Sequence, residues 1–206
     1  MRVVCISDTH SLHQDLEIPE GDLLVHAGDL TSRGSLDEVK QFAQWFSSLP
    51  HRHKVVIAGN HDFCFEHDAE QAENLLKDCH YLRDSGVKIE GLWVWGSPWQ
   101  PWFHSWAFNL ERGDPLRQVW AMIPQHTDIL VTHGPPAGHC DLIASGLRVG
   151  CEDLLARVRQ VRPRLHIFGH IHEAYGVIED DYTTFLNASI CNLAYKPVQA
   201  PLVVDL

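Results

Sequence analysis

A chain of 206 residues, 45% hydrophobic and 21% charged, has the size and composition of one globular domain with a sizeable core. Its 16 Lys and Arg against 27 Asp and Glu leave a formal charge of −11, which argues against broad nucleic-acid binding, because phosphate backbones are held by basic surfaces. No stretch approaches the roughly 20 apolar residues of a membrane span, the chain reaches polar Ser7-Asp8-Thr9-His10 too soon for a secretory segment, and its six cysteines are scattered without a C-x-x-C pair, so a cytoplasmic protein with reduced thiols and no membrane partner is expected.

Short runs rich in Val, Ile and Leu, each closed by polar or Gly-containing residues, predict strands over residues 3–7 and 23–27. A helix over 35–48 comes next, opened by the capping pair Ser35 and Glu38 and carrying Leu36, Val39, Phe42, Ala43 and Phe46 on one face. The pattern continues with a strand at 54–58, a helix at 69–79, a strand at 92–96, a helix at 115–123 entered through Pro115, a strand at 129–132 and a helix at 152–161. Strands at 165–168, 184–187 and 202–204 close the chain without intervening helices. The alternation in the first half predicts β-α-β units in a largely parallel sheet, and the crowded later strands predict hairpins or a second, mixed sheet. No linker, repeat or composition break divides residues 1–206, so a single domain is expected.

The residues just after each strand carry the chemistry. The first strand leads into Asp8-Thr9-His10, the second into Gly28-Asp29, and the third into Gly59-Asn60-His61-Asp62. The strand at 129–132 leads into His133-Gly134, and that at 165–168 into Gly169-His170-Ile171-His172. In open α/β sheets, ligands bind beyond the carboxyl ends of the strands, where all five groups fall. Carboxylate, imidazole and amide oxygen ligands suit Mn, Fe, Zn, Co or Mg. Seven candidate ligands (Asp8, His10, Asp29, Asn60, His133, His170 and His172) are too many for one zinc and suit two divalent ions sharing a carboxylate, which clamp a phosphoryl group and supply hydroxide at neutral pH. Each motif alone is weak; five in this order, each after a strand, are strong.

The series D-x-H, G-D, G-N-H-D, H and G-H-x-H resembles the calcineurin-like metallophosphoesterase superfamily from Asp8 to His172. Ser97-Pro98-Trp99-Gln100-Pro101-Trp102-Phe103, Thr132-His133-Gly134-Pro135-Pro136 and Phe168-Gly169-His170-Ile171-His172-Glu173 are similar to the branch of metallophosphoesterase-domain brain proteins and their bacterial relatives, near the class III cyclic-nucleotide phosphodiesterases. The resemblance implies a four-layer αββα sandwich of two facing sheets flanked by helices. It also implies that Asp8, His10 and His172 hold one ion, that Asn60, His133 and His170 hold the other, and that Asp29 bridges them. Manganese is the expected metal. His61 is implied as a catalytic group acting on the leaving oxygen rather than on metal. Two departures bear on this. The superfamily's second Asp after G-D is missing from Gly28-Asp29-Leu30-Thr31-Ser32-Arg33, leaving Asp62 or a hydroxyl such as Ser32 to orient His61. Conversely, His170 is kept where some brain-protein members carry Gly, so a complete second metal set is expected.

Trp99, Trp102 and Phe103 lie in a Pro-interrupted segment and offer either a stacking wall for a nucleobase or the packing of a long loop. Trp93 and Trp95, on a strand, read as core. His139 and Asp141 either contact substrate or are merely solvated, Arg33 reads as solvated, and His26 reads as a core histidine. The expected activity is hydrolysis of a small phosphate ester, foremost a nucleotide diester, cyclic ones included. A broad phosphomonoesterase on the same centre and a low-turnover nucleotide-binding regulator are the alternatives. Neither a Walker loop nor G-x-G-x-x-G is present to support other nucleotide chemistry.

Overall fold

The computed structural model describes all residues, 1–206. In chain order the elements are β1 (Arg2–Ile6), β2 (Leu23–Ala27), α1 (Leu36–Ser48), β3 (His53–Ile57), α2 (Cys64–His67), α3 (Ala69–Leu75), β4 (His80–Tyr81), β5 (Ser85–Ile89) and β6 (Leu92–Ser97). After them come β7 (Gln100–Pro101), β8 (Asn109–Leu110), α4 (Asp114–Ala121), β9 (Ile129–Thr132), α5 (Glu152–Val161), β10 (Leu165–Phe168), β11 (Gly176–Glu179), β12 (Thr184–Asn187) and β13 (Leu202–Asp205).

Two mixed sheets carry the fold. The first has the order β13-β1-β2-β3-β4, parallel except for β13; the second has the order β11-β12-β10-β9-β6-β5, with a parallel centre and an antiparallel strand at each edge. Successive side chains on a strand point to opposite faces, and here both faces are covered, which is why the central strands read as unbroken apolar runs. Val3, Cys5, Val25, Val55 and Ile57 of the first sheet meet Val94, Ile129, Val131, Ile167 and Leu186 of the second in the inner core. The alternate residues Val4, Ile6, Leu24 and Val56 face outward onto Val39, Phe42, Phe46 and Ala72 of α1 and α3. On the other side Trp95, Leu130, Phe168 and Phe185 pack against Leu116, Trp120, Leu154 and Val158 of α4 and α5. The layers therefore run helix, sheet, sheet, helix. No helix is long and apolar enough to cross a membrane.

Among the elements missed from sequence are the edge strands β5 and β11 of the second sheet. Ser-Gly-Val-Lys-Ile in β5 is only half covered and Gly-Val-Ile-Glu in β11 is mostly exposed, so they lack the apolar run that marks a buried strand, and their pairing to β6 and β12 makes them strands. The helix expected over 69–79 stops at Leu75, and turns at Leu76 and Cys79 swing the chain into β4 beside β3.

Helix α1 begins with the predicted box: Ser35 Oγ accepts from Glu38 N at 3.3 Å and Ser35 N donates to Glu38 Oε2 at 3.0 Å. Glu38 does more than cap. Its Oε1 also accepts from Ser11 Oγ at 3.0 Å, Ser32 N at 3.0 Å and Arg33 N at 3.2 Å, tying the loops after β1 and β2 to the helix. Ser35→Ala should cost about 1 kcal/mol in urea unfolding, the usual value of a cap. Glu38→Ala should cost about 2–3 kcal/mol, since it also strands the donors of two loops.

Candidate metal centre

Strands β1, β2 and β3 end at Asp8-Thr9-His10, Asp29 and Asn60-His61, and β9 and β10 of the facing sheet end at His133 and at His170 and His172. The chain must leave each strand abruptly to turn these side chains into the gap between sheets. Asp8, His10, Asp29 and His170 accordingly have φ of 54°, 43°, 56° and 67°, in the left-handed region that non-glycine residues enter at a cost. Backbone bonds hold them there: Asp8 N to Gly28 O at 2.9 Å, His10 N to Asp29 O at 3.0 Å, and His170 N to the two Asp8 oxygens at 3.1 and 3.0 Å. Gly169 is required by space, because a Cβ there would collide with Asp8 Oδ2 and Ser7 Oγ.

The donor atoms converge. His172 Nε2 lies 3.3 Å from Asp8 Oδ1 and 3.2 Å from His10 Nε2. His133 Nε2 lies 3.4 Å from Asp29 Oδ1 and 2.8 Å from Asn60 Oδ1. Asp29 turns its other oxygen, Oδ2, toward His10 Nε2 at 3.8 Å. Donors about 2.0–2.2 Å from one ion, at tetrahedral or octahedral angles, stand roughly 2.8–3.5 Å apart, so most of these separations suit shared cations. Asp8, His10 and His172 form one group able to hold an ion, and Asp8, Asp29 and His133 another. Asn60 adds its amide oxygen beside His133, and the His170 ring stands 5.0 Å from the His133 ring on the wall of the cleft.

Hydrogen bonds on the far ring nitrogens aim the imidazoles. Nδ1 of His133 donates to Ala27 O at 3.0 Å, and Nδ1 of His172 to Asn192 O at 3.1 Å, which leaves Nε2 facing the carboxylates. Burial opposes ionising Asp8 and Asp29, yet His172, His133 and His10 hold the Asp8 carboxyl, and His133, His10 and His61 the Asp29 carboxyl, below the usual range. Burial likewise opposes charge on His133 and His172, but the carboxylates raise both to about 9. Burial dominates at His10 and His170, lowering them to about 4 and about 3. The same field that draws protons to His133 and His172 draws divalent cations, with which those protons compete.

His61 belongs to a third group of donors, with His10 and Asp29. Its Nδ1 donates to the Ser32 carbonyl at 2.9 Å, its Nε2 is 4.0 Å from Asp29 Oδ2, and its ring packs on Trp106 at 4.1 Å between centroids. The partner expected for it, Asp62, is elsewhere: a fully buried carboxylate accepting from Leu30 N, Thr31 N, Thr31 Oγ1 and Gly59 N. Asp62 therefore holds the loops under the site and does not touch His61, and a backbone carbonyl of Ser32, rather than its hydroxyl, does the orienting.

A cleft of about 460 Å³ opens above Asp29, Asn60, His61, His170 and His172. Trp102 and Phe103 line it, as expected of a stacking wall. Trp99 does not; its Nε1 donates to Asp84 Oδ2 at 2.7 Å and its ring packs edge-on against Phe108 in the loop core. His139 is stacked on Phe185 at 4.0 Å, with Nδ1 on Ala137 O, and does not line the cleft. Asp141 is buried, accepting from Gly138 N and Gly150 N and pairing with Arg148 at 2.6 Å. Three neighbours were not read from sequence. Ser189 donates to Asp8 Oδ2 at 2.9 Å, Tyr195 sets its ring 4.8 Å from that of His10, and Arg112 lines the far wall. None carries a local motif, because each is brought in by loops that pack only in three dimensions.

The calcineurin-like phosphoesterase family model matches residues 1–174. The chain belongs to that family. It is 47% identical to human metallophosphoesterase domain-containing protein 1 over all of this chain and 71% of that one. It is 27% identical to a probable cyclic nucleotide phosphodiesterase of Synechococcus, over 87% of this chain and 69% of the other. The solved structure of TT1561 of Thermus thermophilus superposes with a TM-score of 0.63 at 14% identity, covering 90% and 88% of the two chains, which speaks for the shared fold. A calcineurin-like phosphoesterase is a hydrolase that works with divalent metal, and the His and Asp groups of this one fit such ions. In this phosphoesterase Gly169→Ala should push Asp8 aside: metal content by elemental analysis should fall, while the far-ultraviolet circular dichroism of the fold is retained.

Proposed function

We propose that the chain is a phosphodiesterase acting on small nucleotide diesters, cyclic ones included, with two divalent ions between its sheets. The observation that carries this is the posture of Asp29, whose Oδ1 faces His133 at 3.4 Å while its Oδ2 faces His10 at 3.8 Å, on the floor of an open cleft with an aromatic wall. In this reading Asp8, His10 and His172 hold one ion, Asn60, His133 and His170 hold the other, and Asp29 is shared. Oxygen and imidazole donors suit Mn first, with Fe, Zn, Co and Mg as alternatives. Bound there, such ions supply Lewis acidity at the phosphoryl oxygens and a water nucleophile at neutral pH.

The protein's own part is positioning and proton transfer. His61 Nδ1 faces a carbonyl, which only accepts, so that nitrogen carries a hydrogen at all times. A second proton on Nε2 makes the ring a cation facing Asp29. As the phosphorus–oxygen bond to the leaving group breaks, Nε2 gives that proton to the departing oxygen and the ring becomes neutral; solvent then restores it. Trp106 against one face of His61 keeps the ring in place. Trp102 and Phe103 offer apolar faces to a base on one ester arm.

The test uses enzyme freed of metal by chelation and reloaded with Mn. Two ions per chain should be measured, with higher kcat/KM for bis(4-nitrophenyl) phosphate than for 4-nitrophenyl phosphate, and with turnover of 2′,3′- or 3′,5′-cyclic nucleotides. A preference for the monoester overturns the diester reading, and full activity with one ion overturns the two-metal reading. His61→Ala should keep its metal and lose about 10²–10⁴-fold in kcat on alkyl leaving groups. The loss should shrink on nitrophenyl esters, whose leaving group needs no proton; equal losses on both would remove the acid role.

A further inference from the structure

We infer that Arg112 forms an anion-binding subsite on the cleft wall, which takes a second phosphate of a nucleotide whose scissile phosphate lies over Asp29. This rests on the phosphodiesterase reading for its floor and adds the chemistry of the wall.

Arg112 lies between β8 and α4 and is the only Lys or Arg among the residues lining the cleft. Two of its N–H groups fix its place: Nη1 donates to Gly150 O at 2.9 Å and Nη2 to Val149 O at 2.7 Å. Those bonds leave the positive charge unneutralised. The carboxylates nearby are engaged by other cations, Asp153 by Arg117 at 3.1 Å and Asp141 by Arg148 at 2.6 Å, and Arg112 forms no ion pair. A guanidinium has five N–H donors, so three remain to meet an oxyanion. In a chain of net charge −11, an Arg with no carboxylate partner, tethered by two carbonyls beside a cleft of about 460 Å³, is a place on that wall where an anion gains rather than loses. Glu173, also on the wall, has Oε1 occupied by Ala144 N at 2.9 Å and disfavours an anion beside it. The planar fork of Arg112 matches the paired oxygens of a phosphate better than a lone carboxylate arm or a hydroxyl.

The test compares nucleotides that differ by one phosphate. By calorimetry on Mn-loaded enzyme, adenosine 3′,5′-bisphosphate should bind at least about tenfold tighter than adenosine 3′-phosphate. Adenosine 2′,3′-cyclic phosphate bearing a 5′-phosphate should show a lower KM than the same cyclic nucleotide without it. Arg112→Gln should abolish both preferences, and Arg112→Lys, which keeps the charge but not the two carbonyl tethers, should retain part of them. If Arg112 only braces the loop at Val149 and Gly150, both ligands weaken together and their ratio stays, which overturns the subsite. Equal binding of the two nucleotides by the unaltered protein overturns it as well. Tight, Arg112-dependent binding of the bisphosphate without hydrolysis of any diester keeps the subsite and removes the phosphodiesterase reading, so the two failures are separable.

Discussion

Two carboxylates buried side by side govern this molecule. Oxygens of Asp8 and Asp29 come within 4.8 Å of each other and of a His133 nitrogen, and both residues are shut off from solvent. At an effective dielectric of about 20, two full negative charges that far apart repel by roughly 3–4 kcal/mol, besides the loss of hydration each suffers. Such a pair persists only if positive charge is supplied between and around it. Imidazoles do so in the protein alone, and divalent cations do so more strongly. The convergence of His133 and His172 and the pinning of their Nδ1 atoms on backbone carbonyls follow from this one need.

The backbone is arranged to keep the pair together. Each sheet rivets its ligand-bearing loop with a buried histidine. In the first, His26 accepts from Gly28 N through Nδ1, so its Nε2 carries the hydrogen and donates to Thr9 Oγ1 at 2.9 Å, between Asp8 and His10. In the second, His166 Nε2 meets Thr132 Oγ1 at 2.9 Å, immediately before His133. Burial lowers both imidazoles to about 3, so they stay neutral and add no charge of their own to the site. The parallel bridge between Ser7 and Ser189, with Ser189 on Asp8, stitches the two sheets at the point where their ligands meet.

The orientation of His61 rests on a single hydrogen-bond partner. His61 directly succeeds Asn60; its Nδ1 is drawn to Ser32 O, its ring is caught by Trp106, and its Nε2 faces Asp29 Oδ2 at 4.0 Å. Ser32 is itself held by Glu38, the residue that caps α1, so the orientation of the His61 ring depends on a helix start across the loop. The missing second Asp after Gly28-Asp29 is thereby compensated by backbone, which any residue at position 32 can supply.

Local pattern explains what could be read without the structure. The central strands and the clustering of the site motifs were legible because both depend on local pattern: a strand buried on two faces must be apolar throughout, and a candidate ligand at a strand's end is announced by the strand before it. Asp8, His10, Asp29, Asn60, His133, His170 and His172 all obey that rule, and the box of Ser35 and Glu38 is legible for the same reason. Tertiary packing alone decided the rest. Edge strands Ser85–Ile89 and Gly176–Glu179 owe their form to a neighbour's hydrogen bonds rather than to their own composition. Trp99 and Trp102, three positions apart, differ in fate because Asp84 was within reach of one indole and not of the other. Asp62, adjacent to His61 in sequence, points into the loops beneath, while Tyr195 and Arg112, distant in sequence, stand at the cleft. Sequence determines which chemistry the strand ends carry; the distances over which loops fold back determine which side chains surround it.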